Sequence, residues 1–178
     1  MALLIPASCL AQSYDRPAWY LTFYGGSSAR ILGTQDIRTN YGVGISYSRP
    51  ERHFKWRHGP ANLVLEGYYE HSIGEPAEGR SSTFTESVGF IGYARFRFIK
   101  RDYALYFDIG EGINFSNLES PDLDTKINSS PMIGGGVAIR QGSRETLLGV
   151  RILHLSNAGL RGSNRGQNQI LFTVSVRF

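Results

Sequence analysis

Apolar and polar side chains trade places at period two through most of this chain, in runs of strand length separated by glycine, proline and asparagine. Successive side chains of a strand point to opposite faces, so a period of two marks a sheet with one apolar and one polar face. Eight such runs can be marked: Trp19–Arg30, Tyr41–Arg49, Asn62–Ser72, Thr83–Ile99, Tyr103–Phe115, Ser130–Arg140, Thr146–Ser156 and Asn168–Phe178. No stretch sustains a 3.6-residue period, and none holds the roughly 18 successive apolar residues of a transmembrane helix.

The connections between runs alternate in character. Ile31–Asn40, Ile73–Ser82, Ser116–Ser129 and Asn157–Gln167 are polar and mostly long, whereas Lys100–Asp102 and Gln141–Glu145 are short. An even number of strands with long loops at one end and tight turns at the other is the plan of an outer-membrane barrel. The expected fold is therefore all-β: an eight-stranded antiparallel up-and-down transmembrane β-barrel, with residues 13–178 forming its single domain. Pro50–Ala61 breaks the rule, being long and carrying His53, Trp56 and His58, and reads as an interfacial loop. A soluble β-protein of the calycin type is the competing fold.

Composition agrees with a barrel. Twenty-one glycines, ten tyrosines and ten phenylalanines suit tight turns and aromatic girdles, and charged residues make up only 19%. The net charge of +4 suits an anionic surface such as phosphorylated lipid. No compact basic stretch with interleaved aromatics points to nucleic acid. Cys9 is the sole cysteine and has no intramolecular partner. It lies in Met1–Ser13, which reads as the tail of an export signal with Ala11 as a cleavage point, so residues 1–12 stand outside the barrel. A lipid anchor at Cys9 is the weaker reading, because Pro6 stands three residues before it.

The polar face carries Arg151 and Arg177 on the last two runs, with Glu66, Glu70, Glu86 and Asp108 as acids expected in the lumen. Eight strands enclose a lumen just wide enough to be filled by side chains, and arginine–carboxylate pairs there would satisfy one another. Gly110, Gly112, Gly134, Gly135 and Gly136 are expected to relieve crowding or set curvature.

The end of the chain departs from simple alternation. Even positions read Leu148, Val150, Ile152, His154 and Ser156, placing a base and a nucleophile on the apolar side at the outer end of the strand. An unpaired polar group in hydrocarbon is costly, so either both side chains reach water and simply end the strand, or they serve chemistry on a lipid. The last run ends Phe172, Val174, Val176, Phe178 at period two, like the outer-membrane assembly signal of bacterial barrel proteins, which implies engagement of the barrel-assembly machinery. The scattered His53, His58 and His71 form no metal site, and no cofactor is expected.

Gly149-Val150-Arg151 followed by His154-Leu155-Ser156-Asn157-Ala158-Gly159-Leu160 resembles the signature of the PagL-type lipid A 3-O-deacylases. The resemblance is traceable through Asp108–Gly112 and Ile133–Ala138, and is mainly one of pattern in the first half. It implies an eight-stranded serine hydrolase in the outer membrane of a Gram-negative bacterium, acting on the lipid A of lipopolysaccharide. By this resemblance His154 is the base, Ser156 the nucleophile and Asn157 a residue critical for activity. The family's histidine-orienting glutamate falls on Asn168, which has the right parity but no charge. Three outcomes are open: Asn168 orients His154 in a slower or retuned site, an acid from Leu118–Asp124 supplies the charge, or the chain is a pseudoenzyme. Backbone N–H groups around Asn157–Gly159 are expected at the oxyanion, and Gly159 offers either close substrate approach or a plain turn. Arg161 and Arg165 are candidates for pairing with lipid A phosphates or for a solvated loop. Two other functions stand beside the deacylase: a non-catalytic structural barrel, and a lipid acyltransferase on a similar barrel.

Overall fold

The computed structural model describes residues 16–51, 61–74, 84–100, 103–120, 122–141, 144–160 and 165–178. The strands are β1 (Ala18–Ser28), β2 (Arg38–Pro50), β3 (Ala61–Gly74), β4 (Phe84–Ile99), β5 (Tyr103–Ser116), β6 (Ile127–Ser129), β7 (Met132–Gln141), β8 (Arg144–Leu155) and β9 (Gln167–Arg177). Every pairing is antiparallel. β4 pairs with β5, and β1 pairs with β9, so the sheet closes on itself. The result is a closed eight-stranded antiparallel barrel in which the three-residue β6 continues the line of β7. Pro131 stands between them, and a proline cannot donate to a ladder.

The faces are inverted relative to a soluble protein. Phe23, Ile45, Leu65, Phe90 and Phe172 all point outward and are more than half exposed, at 51–68%. The lumen holds Glu66, Glu70, Arg95, Arg97, Asp108, Glu145 and Arg151, all buried. An apolar exterior around a polar interior is stable only where lipid replaces water outside, as in a membrane barrel. Among the described residues no helix is long and apolar enough to cross a membrane.

Most charge inside the lumen is paired; Glu70 differs, its carboxylate accepting the neutral Gln169 side-chain amide at 2.9 Å. Arg151 meets Glu66 through two bonds of 2.7 and 2.9 Å. Arg95 meets Asp108 through two bonds of 2.8 Å. Arg97 lies 3.4 Å from Glu145, which also accepts the Tyr20 hydroxyl at 2.5 Å. In the first two pairs, bidentate geometry offsets the desolvation that makes a lone buried charge costly. Three details differ from the sequence reading. Glu86 is not a lumen acid: it lies at the outer end of β4 on the outward face, where the Tyr69 hydroxyl donates to it at 3.2 Å. Its position at the rim lets it reach water, which removes the need for a buried partner. Arg144 and Glu145, read as a turn, begin β8, and Glu145 is buried with Arg97 and Tyr20. Arg177 is half-buried at the short-turn end. The glycine expectation holds at Gly110, where a Cβ would stand 2.3 Å from the Gly92 carbonyl oxygen and 2.4 Å from Tyr93 Cβ.

The predicted export segment, with Cys9 and Ala11, and the loop residues His53, Trp56 and His58 lie outside the described residues.

Candidate active site

β8 ends at Leu155 and β9 begins at Gln167, and the register makes His154 and Asn168 direct cross-strand partners. Both stand on the outward face, at the long-loop end of the barrel. Opposed side chains in an antiparallel pair lie close enough to bond. The His154 Nδ1 and Asn168 Oδ1 atoms are 2.8 Å apart. Below this pair on β8 the outward face turns apolar at Ile152, Val150 and Leu148. The site thus sits where the lipid-facing belt gives way to loops.

His154 is half-buried, yet Asn168 is only 1% exposed, although it faces outward. The connection from β1 to β2 covers it. β1 pairs with β9 up to Ser28 and Gln169, so the chain leaving β1 is delivered beside Asn168. The Asn168 side-chain amide donates to the Ile31 carbonyl at 2.7 Å and to Thr34 Oγ1 at 2.8 Å. The Asn168 backbone N–H donates to the same Thr34 oxygen at 2.9 Å, and its carbonyl accepts the Ala29 N–H at 2.8 Å. The Thr34 hydroxyl in turn donates to the Gly166 carbonyl at 3.1 Å. From the far side, Asp122 accepts the N–H groups of Gln35 and Asp36 at 2.8 and 2.6 Å. That bracing uses one of the three acids of Leu118–Asp124, the segment expected to offer a replacement for the missing charge. Among the described residues no carboxylate is bonded to His154.

Ser156 is buried and sits just past the end of β8, held by a two-way backbone bridge to Ser129 at 2.7 and 3.1 Å. Its hydroxyl lies 3.2 Å from Ser129 Oγ. No hydrogen bond joins it to His154, though the residues are neighbours along one strand edge. Catalytic hydrogen bonds are often long without substrate and tighten when it binds. Asn157 forms a turn: its side-chain oxygen accepts the Gly159 N–H at 2.8 Å and its carbonyl accepts the Leu160 N–H at 3.0 Å. The Gly159 N–H is therefore occupied, while the Ala158 N–H has no acceptor among the described residues. Ala158 carries φ +55°, sparsely populated for a residue with a Cβ. A Cβ at Gly159 would meet nothing within 4 Å, so that side is open, and φ +74° accounts for the glycine as a turn residue.

The glycine that matters sterically is Gly166, which sequence reasoning passed over. A Cβ there would stand 2.6 Å from His154 Cε1 and 3.1 Å from Nε2. Arg165 is exposed and donates to Gln35 Oε1 at 2.7 Å, and Arg161 lies outside the described residues. Thr34, Ile31 and Ser129 were missed as well. No local motif marks them, because Thr34 and Asn168 are 134 positions apart and meet only through barrel closure. An apolar groove of about 520 Å³ lies elsewhere, on the outward face between Trp19, Tyr47, Leu65 and Phe90. On a membrane barrel such an apolar hollow is filled by lipid chains.

The family model for lipid A 3-O-deacylase (PagL) matches residues 39–177, most of the chain and all of the β8–β9 segment just described. The chain belongs to the lipid A 3-O-deacylase family. This deacylase-family barrel superposes on the crystal structure of the outer membrane enzyme PagL with a TM-score of 0.71 at 17% identity, covering 88% of this chain and 97% of that one. Neisserial surface protein A gives a TM-score of 0.61 at 12% identity, covering 90% of this chain and 95% of that one. At those identities the likeness is one of fold. No curated protein sequence matches significantly.

Proposed function

We propose that this chain is an outer-membrane serine esterase that removes an ester-linked 3-hydroxyacyl chain from the lipid A of lipopolysaccharide. The observation that carries the reading is the 2.8 Å contact between His154 Nδ1 and Asn168 Oδ1, with Ser156 two residues on. It gives the family's site a histidine held at one nitrogen with the other left for proton transfer. Family membership supplies the substrate class. The placement of the site above an apolar belt suits an ester held at the surface of the outer leaflet, in the outer membrane of a Gram-negative bacterium. The apolar alternation of β9 supports delivery there by the barrel-assembly machinery.

The chemistry is acyl transfer. The Ser156 hydroxyl turns from Ser129 toward the substrate and passes its proton to His154 Nε2 as its oxygen attacks the ester carbonyl. The Ala158 N–H, with the Asn157 side chain, faces the oxyanion that forms. The protonated His154 returns its proton to the departing sugar oxygen, leaving an acyl-serine. A water then gives its proton to His154 as it attacks the acyl carbonyl, and His154 returns that proton to Ser156 Oγ as the 3-hydroxy fatty acid is released. Exposed Ile31, Leu32 and Leu160 offer apolar surface to the acyl chain at loop level. Arg165, and Arg161 beyond the described residues, would pair with lipid A phosphates.

Asn168 also favours a second reading, a lapsed enzyme that binds lipid A without cleaving it, since a neutral amide cannot stabilise the imidazolium with a full charge. Mass spectra of lipid A from Gram-negative cells exporting the chain separate the two. Loss of one 3-hydroxyacyl group that disappears with Ser156→Ala, a drop of about 10⁶-fold in turnover if Ser156 is the nucleophile, supports the esterase. Unchanged lipid A beside a folded barrel favours the lapsed enzyme, and heavier lipid A would indicate an acyltransferase.

A further inference from the structure

The contacts around Asn168 have a fixed direction. A backbone carbonyl only accepts, so the Gly166 carbonyl must receive the Thr34 hydroxyl proton across 3.1 Å. With its proton committed, Thr34 Oγ1 presents only lone pairs to its other neighbours. It receives the Asn168 backbone N–H at 2.9 Å and one side-chain N–H at 2.8 Å. The second side-chain N–H meets the Ile31 carbonyl at 2.7 Å. The reversed amide would set Oδ1 against that carbonyl and against the Thr34 lone pairs, three acceptors facing one another inside a buried site. Thr34 is 4% and Asn168 1% exposed, so water does not relieve the conflict. Oδ1 therefore faces His154 Nδ1 at 2.8 Å, and the hydrogen bond requires the proton on Nδ1. Nε2 is left as the lone-pair nitrogen.

We infer that Thr34, with the Ile31 carbonyl, is a positioning residue that fixes the amide of Asn168 and through it holds His154 in the Nδ1–H tautomer. The inference rests on the esterase reading for its purpose, since a general base at Nε2 needs that tautomer. It also gives Asn168 a reason in place of the family's glutamate. A carboxylate has no proton to offer the Ile31 carbonyl or the Thr34 lone pairs, whereas an amide satisfies both and still selects the ring proton. The loop around Thr34 and the amide at 168 match each other. The orienting half of the acid's work is kept, and the charge is given up.

The test is imidazole ¹⁵N NMR on the whole barrel, labelled at histidine, folded in detergent and assigned to His154 by comparison with His154→Gln. Thr34→Val removes the acceptor while keeping the shape, and Thr34→Ser keeps it. At a pH where the ring is neutral, the unmodified protein and Thr34→Ser should show Nδ1 protonated and Nε2 bare. Thr34→Val should show the Nε2–H form growing in, with kcat on lipid A down about ten-fold and KM little changed. Asn168→Leu, which removes the selector outright, should give the tautomer mixture of an unconstrained side chain. It serves as the second variant if Thr34→Val fails to fold. An unmodified protein with Nε2 protonated, or a Thr34→Val or Asn168→Leu barrel with the Nδ1–H form undisturbed, overturns the inference. The tautomer is read without turnover, so a protein that shows the expected tautomers and leaves lipid A intact loses the esterase reading and keeps the positioning role.

Discussion

The lumen and the rim of this barrel solve the same problem by opposite means. Both hold polar groups away from water. In the lumen the answer is charge against charge: Arg151 with Glu66, Arg95 with Asp108, Arg97 with Glu145. At the rim the described partners are neutral: His154 meets the Asn168 amide, which is itself held by the Thr34 hydroxyl and the Ile31 carbonyl. The difference follows from what each region must do. A lumen pair has one state to satisfy, so full charges in bidentate geometry serve it well. On the proposed mechanism the rim histidine changes protonation during each catalytic cycle. A neutral orienter fixes its geometry without pinning it in one charge state, at the expense of the stabilisation a carboxylate gives the imidazolium.

Three substitutions test that contrast, beginning with the largest expected effect. Asn168→Leu removes the orienter and should lower deacylation by about 10³-fold, measured as fatty acid released from purified lipid A, with the barrel still folded on a heat-modifiability gel. A loss no greater than two-fold would mean that Asn168 orients nothing. Arg151→Met strands Glu66 in the lumen and should destabilise the barrel by about 3–5 kcal/mol in urea unfolding from lipid vesicles. Adding Glu66→Leu should recover most of that loss, as removal of both charges leaves nothing uncompensated. If the double variant is no better than the single, the pair matters for packing rather than charge. Gly166→Ala is the smallest: its Cβ would push on the His154 ring from 2.6 Å, and a turnover loss of about ten-fold is expected with stability down by about 1–3 kcal/mol from the positive φ. Unchanged turnover would show that the ring has room to move.

Much of the fold was legible because parity is local. Leu147, Arg151 and Leu153 against Leu148, Val150 and Ile152 announce their two faces wherever the strand ends up, and the eight predicted runs lie within a few residues of the observed long strands. The same count placed Asn168 on the face of His154, which the register bears out. The errors fell at strand ends. Glu86 was read as a lumen acid, although it shares parity with outward Phe84, Val88 and Phe90, and the rim tolerates it because water is near. Glu145 looked like a turn residue until Arg97 and Tyr20 were seen beside it. Arg95 and Arg97 gave no signal of their partners, because cross-strand pairing depends on the register rather than on either strand alone.

The sequence by itself determined the alternation, hence a barrel with an apolar outside, and it determined that His154, Ser156 and Asn168 share one end of it. Those properties follow from a period of two, which a chain carries without knowing its neighbours. Only the tertiary structure decided what surrounds Asn168. Closure of β1 against β9 brings Ile31 and Thr34 onto a residue 137 and 134 positions away, and their lone pairs set the direction of the amide and the proton on the ring. Hydrogen-bond direction is a property of the assembled contact: the same asparagine, met by donors in place of acceptors, would turn its nitrogen to His154 and leave the proton on the other side.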